Sequence, residues 1–124
     1  MRPKTKKGKS QEWYRKKCVG WAKLKAKERD NYICQKCGKK VEGANAHGSH
    51  IYNEGAHRVM AAEIENILCM CYYCHINWWH KSPVEAADWF KEKFPELAEK
   101  LRLRAQKIYP VNWELTWLGI KETL

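Results

Sequence analysis

Two pairs of cysteines carry the most specific chemistry in the chain. Cys34-Gln35-Lys36-Cys37-Gly38 is a C-x-x-C-G knuckle, in which a turn directs two thiolates to one point and the glycine allows the tight backbone. Cys71-Tyr72-Tyr73-Cys74 repeats the spacing, with 33 residues between the pairs. Four thiolates complete the tetrahedron of a closed structural Zn²⁺ centre. Cys69 competes with Cys71 for the place beside Cys74, and only Cys71 gives the two-residue spacing. The expected ligands are therefore Cys34, Cys37, Cys71 and Cys74, with Cys18 and Cys69 as small buried apolar residues. Reduced core cysteines or a redox pair are the competing reading.

Between the knuckles lies Ala46-His47-Gly48-Ser49-His50-Ile51-Tyr52, then a polar stretch to Arg58, then Ile64-Glu65-Asn66-Ile67-Leu68 leading into the second knuckle. Polar groups thus cluster between two short apolar strands. Directly after Cys74 come His75 and, five residues later, His80, in a segment that reads as the start of a helix.

His50, Asn66 and His75, framed by the two knuckles, resemble the HNH, or ββα-metal, nuclease motif. The segments Gly48-Ser49-His50-Ile51-Tyr52 and Cys74-His75 with its aromatic-rich turn are similar to the phage NinG/Rap recombination nucleases. The resemblance covers about residues 28–82. It implies an α+β fold, a small zinc-stapled ββα-metal core with flanking helices at both ends, and a DNA endonuclease that hydrolyses phosphodiester bonds to 5′-phosphate and 3′-hydroxyl products. Carried over by position, His50 is the general base, a role suited to a neutral imidazole. Asn66 braces the loop between the strands and so orients that histidine. His75 is the helix-borne ligand of one catalytic Mg²⁺ or Mn²⁺, which binds the scissile phosphate and the leaving 3′ oxygen.

One position departs from the family: Ser49 stands where the strand-side metal ligand, an acid or a histidine, is expected. His47 supplies a nitrogen instead if the strand carries a bulge near Gly48, since simple alternation points His47 and His50 to opposite faces. His80 lies about 140° from His75 on a regular helix, so joint ligation needs a distorted first turn; contact with a phosphate is the alternative. Arg58, in the inter-strand loop, holds a phosphate or does nothing specific. Trp78 and Trp79 stack on bases or form the lid and core of the zinc site.

The elements that position these groups follow from composition and periodicity. The chain has 124 residues and a formal net charge of +10, and 44% of its residues are hydrophobic, which is enough for one modest core. Residues 1–29 hold twelve Lys or Arg against two acids, and residues 30–124 hold twelve against twelve, so the whole excess lies at the amino-terminal end. Residues 1–10 read as a flexible basic arm whose Lys4, Lys6, Lys7 and Lys9 contact phosphates without sequence information. Residues 11–124 read as one domain, which the resemblance implies is an HNH nuclease domain. A basic helix begins after Ser10, with Tyr14, Cys18, Trp21 and Ala22 on its apolar stripe.

In the carboxy-terminal third, Ser82-Pro83-Val84-Glu85 reads as an N-cap with a capping box, starting a helix that buries Val84, Ala87, Phe90 and Phe94. Pro95 opens a second helix, with Leu97, Ala98, Leu101, Ala105 and Ile108 at helical spacing. From Asn112 a last apolar helix packs on the domain or pairs with a second copy, so a homodimer is one route to cutting both strands. No long apolar run or secretory h-region is present, so the expected setting is cytoplasmic, with DNA rather than a membrane as partner. The rival reading is a non-catalytic zinc-ribbon nucleic-acid-binding protein whose catalytic metal pocket is lost at Ser49. A zinc-stapled protein-interaction module is a second rival, disfavoured by the charge.

Overall fold

The computed structural model describes residues 8–124. Lys4, Lys6 and Lys7 of the basic arm lie outside the described residues. Helix α1, Gln11–Arg29, starts at Ser10, whose hydroxyl accepts a hydrogen bond from the Trp13 amide at 3.1 Å. It buries Cys18, Val19, Ala22 and Ala26, and these small side chains let it lie close against its neighbours. Asn31 and Tyr32, at φ 56° and 55°, then reverse the chain through the left-handed region. Gly38 takes φ 78° in the first knuckle, and an Ile33–Lys40 bridge closes the loop around it.

Strand β1, His47–His50, pairs antiparallel with β2, Ile67–Met70, in the register His47–Met70, Gly48–Cys69, Ser49–Leu68 and His50–Ile67. The pairing is continuous, so β1 carries no bulge near Gly48, the feature on which His47 as a ligand is expected to depend. α1 packs on one face of this hairpin, with Ala22 and Ala26 against Ile67. Gly48 makes the approach possible: a Cβ at that position would stand 2.7 Å from Lys23 Cγ and 2.9 Å from Lys23 Cβ. The end of α1 is tied to β2. Arg29 donates to the Ile64 and Ile67 carbonyls, and the Asp30 carboxylate accepts from the Cys69 amide at 2.9 Å.

After the second knuckle the chain forms a π-helix, Tyr73–Trp79, instead of a regular α-helix. Helices α2 (Pro83–Lys93), α3 (Pro95–Arg104) and α4 (Trp113–Lys121) follow. Three details differ from the sequence reading. The Ser82 side chain makes no capping bond. The buried residues of α2 are Ala86 and Phe90, whereas Val84 is 74% exposed, because the helix meets the core one position out of phase with the expected stripe. Ile108 lies beyond the end of α3 and is exposed. α4, capped by Asn112, packs its Trp113, Trp117 and Ile120 face beside Cys18 and Val19 of α1.

The main core gathers Val41, Met60, Leu68, Met70, Phe90 and Leu101 around the cysteines, so α2 and α3 cover the hairpin on the side away from α1. The architecture is α+β: one two-stranded sheet among helices. No described helix is long and apolar enough to cross a membrane.

Candidate metal centre and histidine cleft

The two knuckles meet. The ligand atoms of Cys34, Cys37, Cys71 and Cys74 all lie within 4.8 Å of one another, and Cys37 Sγ is 3.9 Å from Cys71 Sγ. Zinc–sulfur bonds of about 2.3 Å in a tetrahedron place sulfurs at about this separation. Burial pushes the Cys34 thiol up, but backbone N–H groups of Cys37, Cys71 and Lys36 aimed at the sulfur outweigh it and bring the thiol to about 7. Burial and the neighbouring Cys71 sulfur raise Cys74 instead. Four sulfurs this close repel as thiolates, and a dication supplies the compensating charge, so the cluster fits a structural zinc.

Cys69 stands outside the cluster, fully buried; burial and then the Asp30 carboxylate push its thiol up to about 11. Cys18 is also fully buried, and burial raises it. The two-residue spacing therefore separates ligands from core cysteines correctly.

Beside the zinc cluster opens a cleft of about 470 Å³, lined by Gly48 and His50 of β1, Glu54 of the following loop, His75, Trp79 and His80 of the π-helical segment, and Lys23 of α1. His50 is held at one nitrogen. Its Nε2 lies 2.7 Å from the Ala61 carbonyl oxygen, and a carbonyl only accepts, so Nε2 is the donor there, and in the neutral ring Nδ1 is the nitrogen with the lone pair. Glu54 Oε2 is 3.8 Å from the same Nε2 and 3.2 Å from Arg15 Nη1.

Asn66 is fully buried and ties the inter-strand loop on both sides. Its Oδ1 accepts from the Tyr52 amide at 2.9 Å, while Nδ2 donates to the Tyr52 and Met60 carbonyls at 3.0 and 3.1 Å. Met60 precedes Ala61, so the amide fixes the peptide next to the one that holds His50.

His47, His75 and His80 form a row. His47 Nδ1 is 2.9 Å from His75 Nδ1, and His75 Nε2 is 3.0 Å from His80 Nε2. His47 reaches His75 from the first residue of β1, without a bulge. Its Nε2, 3.0 Å from the Ala44 carbonyl oxygen, must donate there, which leaves Nδ1 as the acceptor facing His75. Burial above all, then the charges of His80 and His47, lowers His75 to about 4, so it is neutral and free to ligate. The π-helix supplies the distortion that His80 requires, because its wider turn brings residues five apart onto one face.

Ser49 is 1% exposed, and its hydroxyl makes no hydrogen bond; it points into the interior and offers nothing to the cleft. Among the described residues, the cysteines are the one group of three or more Cys, His, Asp or Glu residues whose ligand atoms converge. Nitrogen donors such as these suit a first-row transition ion, Mn²⁺ included, better than Mg²⁺, which prefers oxygen.

Arg58 is exposed and lines no part of the cleft. Lys9 is exposed, with its Nζ 5.5 Å from the Trp13 ring. Trp78 and Trp79 pack edge-on against Trp89, and Lys36 of the first knuckle lies over Trp78 at 4.7 Å. Lys23 and Glu54 are the cleft residues that sequence reasoning missed. Only the glycine at 48 hints at a close neighbour, and it does not say which.

Comparison with protein-family models, curated proteins and solved structures gives no match for this chain.

Proposed function

We propose that the chain is a metal-dependent DNA endonuclease of the HNH type, with the four-cysteine cluster as its structural zinc site. The observation that carries the reading is the placement of His50: a largely buried imidazole whose Nε2 is 2.7 Å from the Ala61 carbonyl oxygen and which lines a cleft with His75 and Lys23. His50 Nδ1 takes a proton from water as the water oxygen attacks phosphorus. The P–O3′ bond breaks, the 3′ oxygen takes a proton from solvent water to leave as a hydroxyl, and the hydroxide so formed takes back the proton held by His50. Glu54, near Nε2, favours the imidazolium formed in that step. A divalent transition ion held by His75 with His47 or His80 would, when bound, polarise the phosphate. Lys23 adds charge to hold the phosphate, and the basic arm and the lysines of α1 add contacts that do not depend on sequence.

A second reading is supported by Ser49, whose buried hydroxyl supplies no ligand where the family places one. In it the chain is a zinc-stapled nucleic-acid-binding protein without catalysis.

The deciding experiment is cleavage of supercoiled plasmid by zinc-loaded protein with Mg²⁺, Mn²⁺, Ni²⁺ or no added metal, alongside His50→Ala at equal zinc content. Metal-dependent relaxation or linearisation that falls by roughly 10²-fold or more in His50→Ala supports the nuclease. Binding without cleavage under every metal, on plasmid and on a branched substrate, supports the binding protein.

A further inference from the structure

A second hollow, of about 580 Å³, adjoins the histidine cleft and shares Ile51, Trp79 and Pro83 with it. It lies between α2, α3 and the chain just after β1, and its chemistry is the opposite of the cleft's. Tyr52, Trp79, Phe90 and Ala87 supply an apolar and aromatic lining; Lys91, Glu99 and Arg102 line it too, and Arg102 is ion-paired with Glu99 at 2.7 Å. The proposed hydrolysis makes no use of it.

We propose that this hollow receives a nucleobase unstacked from the strand whose phosphate sits in the histidine cleft, so that DNA with unpaired nucleotides is the preferred substrate class. The inference rests on the nuclease reading for the phosphate in the cleft. A nucleotide joins a charged phosphate to a flat aromatic base through one sugar. Two adjoining hollows, one lined by histidines and a lysine and the other by aromatic rings, with Trp79 as common wall, reproduce that division. The volume falls within the roughly 300–1,000 Å³ of small-ligand pockets. Tyr52 and Trp79 offer faces or edges on which any base can stack. Lys91 stands at the same hollow outside the Arg102–Glu99 ion pair and matches the negative charge of a flanking phosphate. A paired base must first be extracted from its stack, whereas an unpaired one enters at little cost, and this difference gives the preference.

The test uses zinc-loaded full-length protein without added catalytic metal and two fluorescent probes: a paired duplex, and the same duplex carrying one unpaired 2-aminopurine. Ala87 is exposed at the hollow, so Ala87→Trp fills it without entering the core. The expected result is that the bulged probe binds roughly five- to hundredfold tighter than the paired one, with its emission altered on binding. Ala87→Trp should remove that advantage and leave the paired duplex bound as before, and Ala87→Ser should keep it.

Equal binding of the two probes by the wild type overturns the proposal, as does an advantage that survives Ala87→Trp. Displacement of the bulged probe by an uncharged leucine-rich peptide and not by free nucleoside also overturns it, in favour of a peptide groove. The plasmid assay reports separately on the nuclease. A preference lost in Ala87→Trp without His50-dependent cleavage leaves the base hollow standing in a non-catalytic protein; cleavage without the preference removes the hollow alone.

Discussion

His75 and His80, five residues apart, present their Nε2 atoms to each other across 3.0 Å because the helix between them is wound as a π-helix. In a regular helix the two rings would diverge. If His75 anchors the catalytic ion, His75→Ala abolishes metal-dependent cleavage, whereas His80→Ala weakens the apparent metal affinity by roughly 10–100-fold and is rescued by excess metal. A metal titration of cleavage separates the two. Identical titration curves for His80→Ala and wild type remove His80 from the site.

Asn66 predicts a stability effect that stands apart from catalysis. Asn66→Ala leaves the Tyr52 amide and the Tyr52 and Met60 carbonyls without their buried partner, at a cost of about 3 kcal/mol. Urea denaturation of zinc-loaded protein measures it. Asn66→Asp is no remedy, since a carboxylate cannot donate to the two carbonyls.

Zinc removal should act on the whole hairpin. The first knuckle is bonded to β2 through the Gln35 amide and the Cys69 carbonyl oxygen, and the second leads straight into the π-helix. Chelation, or Cys34→Ser, is expected to abolish the cooperative thermal transition of this part of the chain, followed by circular dichroism and restored by added Zn²⁺. An unchanged transition after proven metal loss would show that the cysteines are core residues only.

Thiol labelling distinguishes the two kinds of cysteine. Cys18 and Cys69 are fully buried and their thiols are raised, so neither reacts with iodoacetamide at pH 8 in the native state. Chelation without denaturant should expose Cys37 first, since it alone of the four ligands is exposed. Mass spectrometry of the labelled peptides reads both.

Arg104 ties α3 to the inter-strand loop, at 2.8 Å from Glu63 and 3.2 Å from Glu65, and Lys100 stands 2.7 Å from Glu65. The Lys100 hydrogen bond, then that of Arg104, lowers the Glu65 carboxyl below its ordinary value. A depressed carboxyl contributes stability that is complete above its unfolded value near 4.5 and fades as pH falls through the folded value. Glu65 is 44% exposed, so the contribution is small. Arg104→Gln is expected to cost less than about 1 kcal/mol near pH 7 and nothing measurable at pH 3, by urea denaturation at the two pH values.

The four cysteines of the zinc cluster are legible in the sequence because their information is local. A C-x-x-C spacing closes by itself, and Cys69 misses that spacing to Cys74 by two residues. His80 was misplaced on the wheel because periodicity assumes 3.6 residues per turn, and nothing in Ile76-Asn77-Trp78-Trp79 announces a wider turn. Lys23 and Glu54 were invisible for a different reason. They reach the cleft from α1 and the inter-strand loop, through a packing of helix on hairpin that no local pattern encodes. The phase of α2 failed likewise, since Ala86 and Ala87 are equally plausible core residues until the surface beneath them is known.

Gly48 acts as a keyway. The stem of Lys23 occupies the space where any other residue would carry its first side-chain carbon, so α1 is fixed against the hairpin in both rotation and translation. One residue inserted into α1 before Lys23 would turn the preceding helix, with its Cys18 and Val19 seam to α4, by about 100° while the key stayed in place. The same insertion in the exposed loop at Gly55 or Ala56 would be absorbed. Tolerance to length change in this chain therefore follows one contact more closely than it follows burial.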